Sequence, residues 1–182
     1  MTEKERICAE LLALRCRRGE RGALEELVRA WEDRLFYFIR RLVPSEEDAW
    51  DALQETWMKV IRGIGKLQYP ERLSPWLFSI ARASAMDRMR AVYANHREEP
   101  VENDTLEQFP AEIDEFDDAE RVHRGLNRIS LPHREALTLH FLEDFSIEEM
   151  ADILGIPPGT VKSRLYHAKR ALRAVLEREA SV

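Results

Sequence analysis

Between Pro158 and Arg173 the chain carries five basic residues, Lys162, Arg164, Lys169, Arg170 and Arg173, and no acidic one. Val161, Leu165, Ala168 and Leu172 recur there at i, i+4, i+7 and i+11, which is one stripe of a helix that must face a core. The helical turn puts Ser163, Tyr166, His167 and Arg170 on the opposite side, flanked by Lys162 and Arg164. Such a face neutralises phosphates and offers hydroxyl, imidazole and guanidinium groups to base edges in a major groove. Free amides at the helix start, near Thr160, can also accept a phosphate. A basic run alone would suit a solvated structural helix, so what precedes it matters.

Ser146-Ile-Glu-Glu149 has the form of a full capping box, in which a serine hydroxyl takes the N3 amide and the glutamate returns to the cap amide. It opens a short helix over 147–154, with Gly155 where a left-handed terminating residue belongs. The turn Ile156-Pro157-Pro158-Gly159 leads into the basic helix, which is expected from about Pro158 to Glu177. A short helix, a tight turn and a second helix form the helix-turn-helix pattern. Upstream, one helix is expected over 122–129 and another from Leu131-Pro132 to about Glu143.

The first half of the chain is helical too. Ala23, Leu24, Leu27, Val28, Trp31, Leu35, Phe38, Ile39 and Leu42 keep helical spacing up to Pro44. Ser45 and Asp48 resemble a capping box for a second helix bearing Ala49, Ala52, Leu53, Thr56, Trp57, Val60 and Ile61. After the polar turn at 66–73, Ser74-Pro75 reads as an N-cap with proline at the first helical position, opening a helix from Trp76 to about Val92. An amphipathic helix is expected in the first 20 residues, with Ile7, Cys8, Leu11 and Leu14 on or near one side. No segment sustains the alternation of a strand, so the fold class is all-α.

The 182 residues include 28 Lys or Arg and 34 Asp or Glu, a net charge of −6. Taken as a total, that charge disfavours a nucleic-acid partner, but it is unevenly placed. Residues 98–120 hold eleven acids and no Lys or Arg, leaving a surplus of five positive charges elsewhere. This stretch reads as a solvated, self-repelling linker between two domains. Two cysteines, Cys8 and Cys16, make no disulfide framework, no apolar run approaches the ~20 residues of a membrane span, and the charged N-terminus is no signal peptide. The expectation is a soluble protein of a reducing compartment, with no membrane insertion.

GTVKSRLYHAKRAL (159–172), after FSIEEMADILGIPP, closely resembles the C-terminal DNA-reading domain of extracytoplasmic-function (ECF) sigma factors in the sigma-70 family. DAWDALQETWMKV (48–60) resembles the family segment that docks on the β′ coiled coil of RNA polymerase, and SPWLFSIARASAMDRMR (74–90) the segment that melts and reads the downstream promoter element. The resemblance covers about residues 20–178. It implies an N-terminal helix at 1–20, a polymerase-docking and minus-10 domain at 21–95, the acidic linker at 96–118 and a minus-35 domain at 119–178. It implies a cytoplasmic initiation factor whose partners are the polymerase core (β′ coiled coil and β flap), promoter DNA and an anti-sigma factor. No catalytic residue, cofactor or metal is expected.

Asp48, Asp51 and Glu55 form an acidic stripe with Gln54 beside it, and the resemblance makes these four the expected polymerase contacts. For minus-10 DNA it points to Lys66, Arg72, Trp76, Arg82 and Arg88, although a shared apolar stripe with Ile80 suits Trp76 better to the core. For minus-35 DNA it points to Thr160, Lys162, Ser163, Arg164, Tyr166, His167 and Arg170. Ala83 stands where the family usually has Asn, Ser79 where it often has Arg, and His167 where Arg is common. The first puts sequence preference at the downstream element in doubt, and the last predicts a weaker or pH-dependent phosphate contact.

Other classes fit less well. The five histidines form no HExxH, and GxSxG, P-loop and GxGxxG motifs are absent. His133 and His140, at i and i+7, could flank a metal but have no Cys or carboxylate at ligand spacing. A stand-alone helix-turn-helix regulator is the nearer alternative, and the 48–60 segment discriminates, since such a protein needs no acidic docking face.

Overall fold

The computed structural model describes residues 3–95 and 118–179, which contain eight α-helices and no strand. The acidic linker expected at 96–118 lies outside the described residues, apart from Asp118.

In the first half, α2 (Ala23–Arg40) buries Leu27, Trp31, Leu35, Phe38 and Ile39 along one face. α3 (Glu46–Gly63) answers with Ala49, Ala52, Leu53, Thr56, Trp57 and Val60, and α4 (Leu73–Asn95) with Leu77, Phe78, Ala81 and Ala85. Phe78 is the centre of this core, with ring centroids 5.1 Å from Phe38 and 6.4 Å from Trp31. Ser45 caps α3 as its sequence suggests: its hydroxyl accepts the Asp48 amide at 3.0 Å.

Two expectations are corrected here. Ile61 is not in the buried stripe of α3 but is 51% exposed: it falls on the line of Trp50, Gln54 and Met58, the side of the helix turned away from the core. Ser74 does not cap α4, which begins at Leu73; a 3₁₀ turn over Pro70–Arg72 runs straight into the helix and leaves Ser74 buried in its first turn. α1 (Glu3–Arg17) is present, with Ile7, Cys8 and Leu11 together on its exposed side, and it faces the core with Ala9, Leu12 and Ala13. The small side chains at 9 and 13 let α1 approach α2 and the turns Ile64–Lys66 and Pro70–Arg72 closely.

The second half comprises α5 (Asp118–Asn127), α6 (Leu131–Leu137), α7 (Ile147–Leu154) and α8 (Pro158–Glu179). α6 ends sooner than its sequence suggests because it widens into a π turn over Thr138–Leu142, in which the Glu143 amide reaches the Thr138 carbonyl at 3.1 Å. Asp144 follows in a left-handed conformation with φ of 57°, and the chain then turns Phe145 inward. The capping box of α7 is complete: Ser146 Oγ accepts the Glu149 amide at 3.2 Å and Glu149 Oε2 accepts the Ser146 amide at 2.9 Å. Gly155, with φ of 66°, ends α7 in the left-handed region. Val161, Leu165 and Ala168 of α8 are buried and Leu172 is partly so, as the spacing requires. α5 crosses α8 at Gly125, where a Cβ would stand 2.9 Å from Leu172 Cδ1.

The two halves share one continuous core. α4 packs on α7, and Phe78 meets Phe145 edge-on at 4.9 Å. The local geometry gives a direct expectation for the helix-turn-helix: Ser146→Ala removes the cap hydroxyl and costs about 1 kcal/mol of unfolding free energy. Urea denaturation with an unchanged slope and a lowered midpoint would show it; an unchanged midpoint would contradict the role of the cap.

Candidate functional site

The outer face of α3 combines acid and exposed apolar surface. Trp50, Gln54, Met58 and Ile61 lie at i, i+4, i+8 and i+11 and all are exposed. Trp50, half exposed, stacks on Phe36 of α2 with centroids 4.2 Å apart. The acids run beside this stripe. Asp51 and Glu55 keep exposed carboxylates, with Arg88 Nη1 3.0 Å from Asp51 Oδ2 and Lys59 Nζ 3.7 Å from Glu55 Oε1. Asp48 differs from its neighbours: it is buried, accepts the Ser45 hydroxyl at 2.6 Å and takes Arg88 Nε at 2.6 Å. Of the four residues expected to meet polymerase, three lie on the outer face, whereas Asp48 ties α3 to α4.

Burial pushes the Asp48 carboxyl up, but the Ser45 hydroxyl and the Arg88 guanidinium outweigh it and hold it below its ordinary value. The same pair raises Arg88. A depressed carboxyl contributes stability above its unfolded pKa and loses it as pH falls through the folded value. Asp48→Asn should therefore flatten the acid limb of a melting-temperature profile below about pH 4; a profile parallel to the wild type there would contradict this assignment.

The residues expected at minus-10 DNA are divided. Lys66 is exposed at the end of the first 3₁₀ turn. Trp76 is half-buried against Gly63, where a Cβ would stand 3.0 Å from Trp76 Cζ2. Arg72 Nη2 pairs with Asp152 of α7 at 2.9 Å, and Arg82 Nε with Glu135 of α6 at 2.5 Å. Arg88 is held by Asp48 and Asp51. Tyr69, in the turn before α4, is exposed, and exposed aromatic rings are the surfaces on which bases stack.

On α8 the expected minus-35 residues are gathered. Thr160, Lys162, Ser163, Tyr166, His167 and Arg170 are all exposed on one side. Tyr166 meets His167 edge-on at 5.3 Å, and the Arg170 guanidinium lies 5.8 Å from the Tyr166 ring centroid. Arg164 is set apart. It is half-buried, with Nη1 3.8 Å from Glu135 Oε2. Burial pushes the Glu135 carboxyl up, partly offset by Arg82 and Arg164; Glu143 is likewise raised by burial and partly offset by Arg34.

Behind α8 lies an apolar groove of about 490 Å³ lined by Val122, Leu126, Leu137, Phe141, Leu142, Leu172 and Leu176, with Lys169, Arg173 and Glu177 at its rim. It and the apolar stripe of α3 are the surfaces that sequence reasoning missed. Their signal was present: each helix carries more large apolar residues than one inward stripe can accept. His140 is accounted for by a contact of its Nδ1 with the Phe145 carbonyl at 3.0 Å, and no group of three or more metal-ligating side chains occurs among the described residues.

Residues 27–93 match Sigma-70 region 2, and residues 119–172 match Sigma-70, region 4. The ECF RNA polymerase sigma factor SigM of Mycobacterium tuberculosis is 33% identical over 172 residues, covering 94% of this chain and 86% of its own. The RNA polymerase sigma factor CarQ of Myxococcus xanthus is 33% identical over 169 residues, covering 89% and 94%. Among solved structures, the sigma factor RpoE in complex with the anti-sigma factor NepR from Bartonella quintana superposes with a TM-score of 0.71 at 27% identity, over 86% of this chain and 98% of that one. Regions 2 and 4 in that order, on a chain one-third identical to such relatives nearly end to end, make this protein an ECF sigma factor of the sigma-70 family, a transcription initiation factor.

Proposed function

We propose that the first half, over residues 21–95, docks on the β′ coiled coil of RNA polymerase and opens and reads the minus-10 element, while the second, over 119–178, reads the minus-35 element. The observation that carries this reading is the outer face of α3. Trp50, Met58 and Ile61 remain exposed there beside Asp51 and Glu55. Contiguous exposed apolar surface with a charged border marks a protein interface, and its chemistry fits a basic partner helix with apolar residues. Gln54 supplies a central amide, and Asp48 acts from beneath by fixing Arg88.

The minus-10 reading assigns Lys66, Arg72 and Arg82 to the phosphates of the displaced strand and Tyr69 to a stacked base. Capturing a flipped base costs a few kcal/mol of unstacking, which polymerase binding offsets. Trp76 supports this surface from the core side. On α8, Lys162, Ser163, Tyr166, His167 and Arg170 enter the major groove with Thr160 at a phosphate, and Arg164 positions the helix through Glu135. The apolar groove behind α8 suits the β flap. The chain acts in the cytoplasm and without catalysis of its own, through binding energy alone. An anti-sigma factor, as in the B. quintana complex, would inhibit it by covering the α3 face.

Purified core polymerase with this chain should give promoter-dependent transcripts from a library of fragments of the source genome. Tight duplex binding without initiation would instead favour a stand-alone helix-turn-helix regulator. Trp50→Ala should weaken core binding by about 2 kcal/mol, roughly 30-fold. Asp51→Arg and Gln54→Ala should also weaken it, each with helical content unchanged by circular dichroism. Unchanged affinity in all three would remove the α3 assignment. For the recognition helix, His167→Arg should steepen the slope of log K against log salt for holoenzyme on promoter DNA by about 0.9, one added phosphate contact; an unchanged slope would put position 167 off the DNA.

A further inference from the structure

Two apolar surfaces of this chain stand uncovered, one a ridge and the other a groove. The ridge is the outer stripe of α3, where Trp50, Met58 and Ile61 are exposed. The groove, about 490 Å³, lies behind α8, where the π turn over Thr138–Leu142 sets Phe141 and Leu142 side by side, 53% and 40% exposed. Apolar patches of this kind mark places where another surface packs. Their charged borders are of opposite sign. α3 carries Glu46, Glu47, Asp51 and Glu55 and no basic residue before Lys59. The groove has Lys169 and Arg173 at its rim, with Glu177 beside them. Arg173 is paired with Glu177 at 2.7 Å. Lys169 Nζ instead rests 5.2 Å from the Phe141 ring centroid, with no carboxylate within ion-pair distance among the described residues.

We propose that these two surfaces recognise each other between copies of the chain, α3 of one copy lying in the groove behind α8 of another. Within one chain α3 packs on α2 and α4, and α8 on α5, α6 and α7, so the two surfaces meet only if a second copy supplies one of them. A helix face with anchors at i, i+4, i+8 and i+11 has the form in which a helix enters an apolar groove. Trp50 is already held against Phe36, ring centroids 4.2 Å apart, so it enters oriented and loses little freedom on binding. The amide of Gln54, between Trp50 and Met58 on the stripe, needs a hydrogen-bond partner when covered, and Lys169 or Arg173 can donate to its carbonyl. Because the patches differ, the contact is head-to-tail, and it either closes into a pair with two reciprocal contacts or runs on into a chain. Self-association needs only the two surfaces and does not rest on the proposed function. Where that function holds, the associated form belongs to chains outside a polymerase complex, since polymerase is given the same two surfaces.

Sedimentation velocity on the full chain under reducing conditions should show a mass that rises above one chain with concentration; one chain throughout the micromolar range overturns the proposal. Met58→Glu with Ile61→Glu spoils the stripe and leaves the groove, and Phe141→Glu with Leu142→Glu spoils the groove and leaves the stripe. All four side chains are exposed, and circular dichroism checks that each variant folds. Either double variant alone should associate about tenfold more weakly or worse, and an equimolar mixture should form a one-to-one complex tighter than either alone. Wild-type association by one of the variants means that like patches meet, and overturns the head-to-tail contact, as does a mixture no tighter than its parts. Should a double variant fail to fold, Lys169→Glu and Glu55→Lys replace the pair: each should weaken association and their mixture restore it, whereas no weakening in either overturns the charge match. A photo-cross-linker at Leu142 then identifies the occupant. In a mixture of light- and heavy-nitrogen protein, cross-links from Leu142 to α3 of another chain are expected. Cross-links confined to one chain, to residues 98–117 or elsewhere, put a segment of the same copy in the groove and overturn the proposal. These readouts use neither DNA nor polymerase, so their failure leaves polymerase docking on α3 to its own tests.

Discussion

A guanidinium packed against protein needs a counter-charge, and in this chain the counter-charges come from acids of neighbouring helices. Arg82 rests on Glu135, Arg72 on Asp152 and Arg88 on Asp48 and Asp51. These pairs differ in environment. Arg72 and Asp152 are about half exposed, where an ion pair contributes little. Glu135 is buried, and its carboxyl is pushed up by that burial, so its ionised form depends on the arginines around it. α4 packs on α7, and α6 and α7 pack on α8, with Phe78 against Phe145 where the halves meet.

The same constraint joins the functions. Arg88 is fixed by two acids of α3, so α3 and α4 are tied together, and on the proposed reading a partner on α3 would bear on α4 directly. The net charge of −6 says little about this. What matters is that eleven acids sit in residues 98–120 while α8 presents an acid-free basic face. Under the proposed function, two moderate DNA contacts on one chain would gain from each other when both are engaged, because the second is made at high local concentration.

Local chemistry was legible in the sequence, and long-range chemistry was not. The cap at Ser146 and Glu149, the left-handed Gly155 and the buried stripe of α8 all lie within one or two helical turns of their partners, and each stands where spacing puts it. The matched sigma-70 regions carried the identity of both halves. Periodicity alone does not decide which apolar residues face inward: Ile61 continues the apolar pattern of α3 yet is exposed. At α1 the small Ala9 and Ala13 won the core side because they permit close approach. Glu135 and Arg82 are 53 positions apart and Glu143 and Arg34 are 109 apart; no period or motif links such residues, so the junction became visible only in three dimensions.

Docking of polymerase on the outer face of α3 decides whether the first half works as proposed. A photo-cross-linking residue in place of Met58, which is exposed on that face, would report what covers it in an active polymerase complex. A cross-link to the β′ coiled coil is expected. An active complex with no cross-link to polymerase from position 58 would place the docking surface elsewhere.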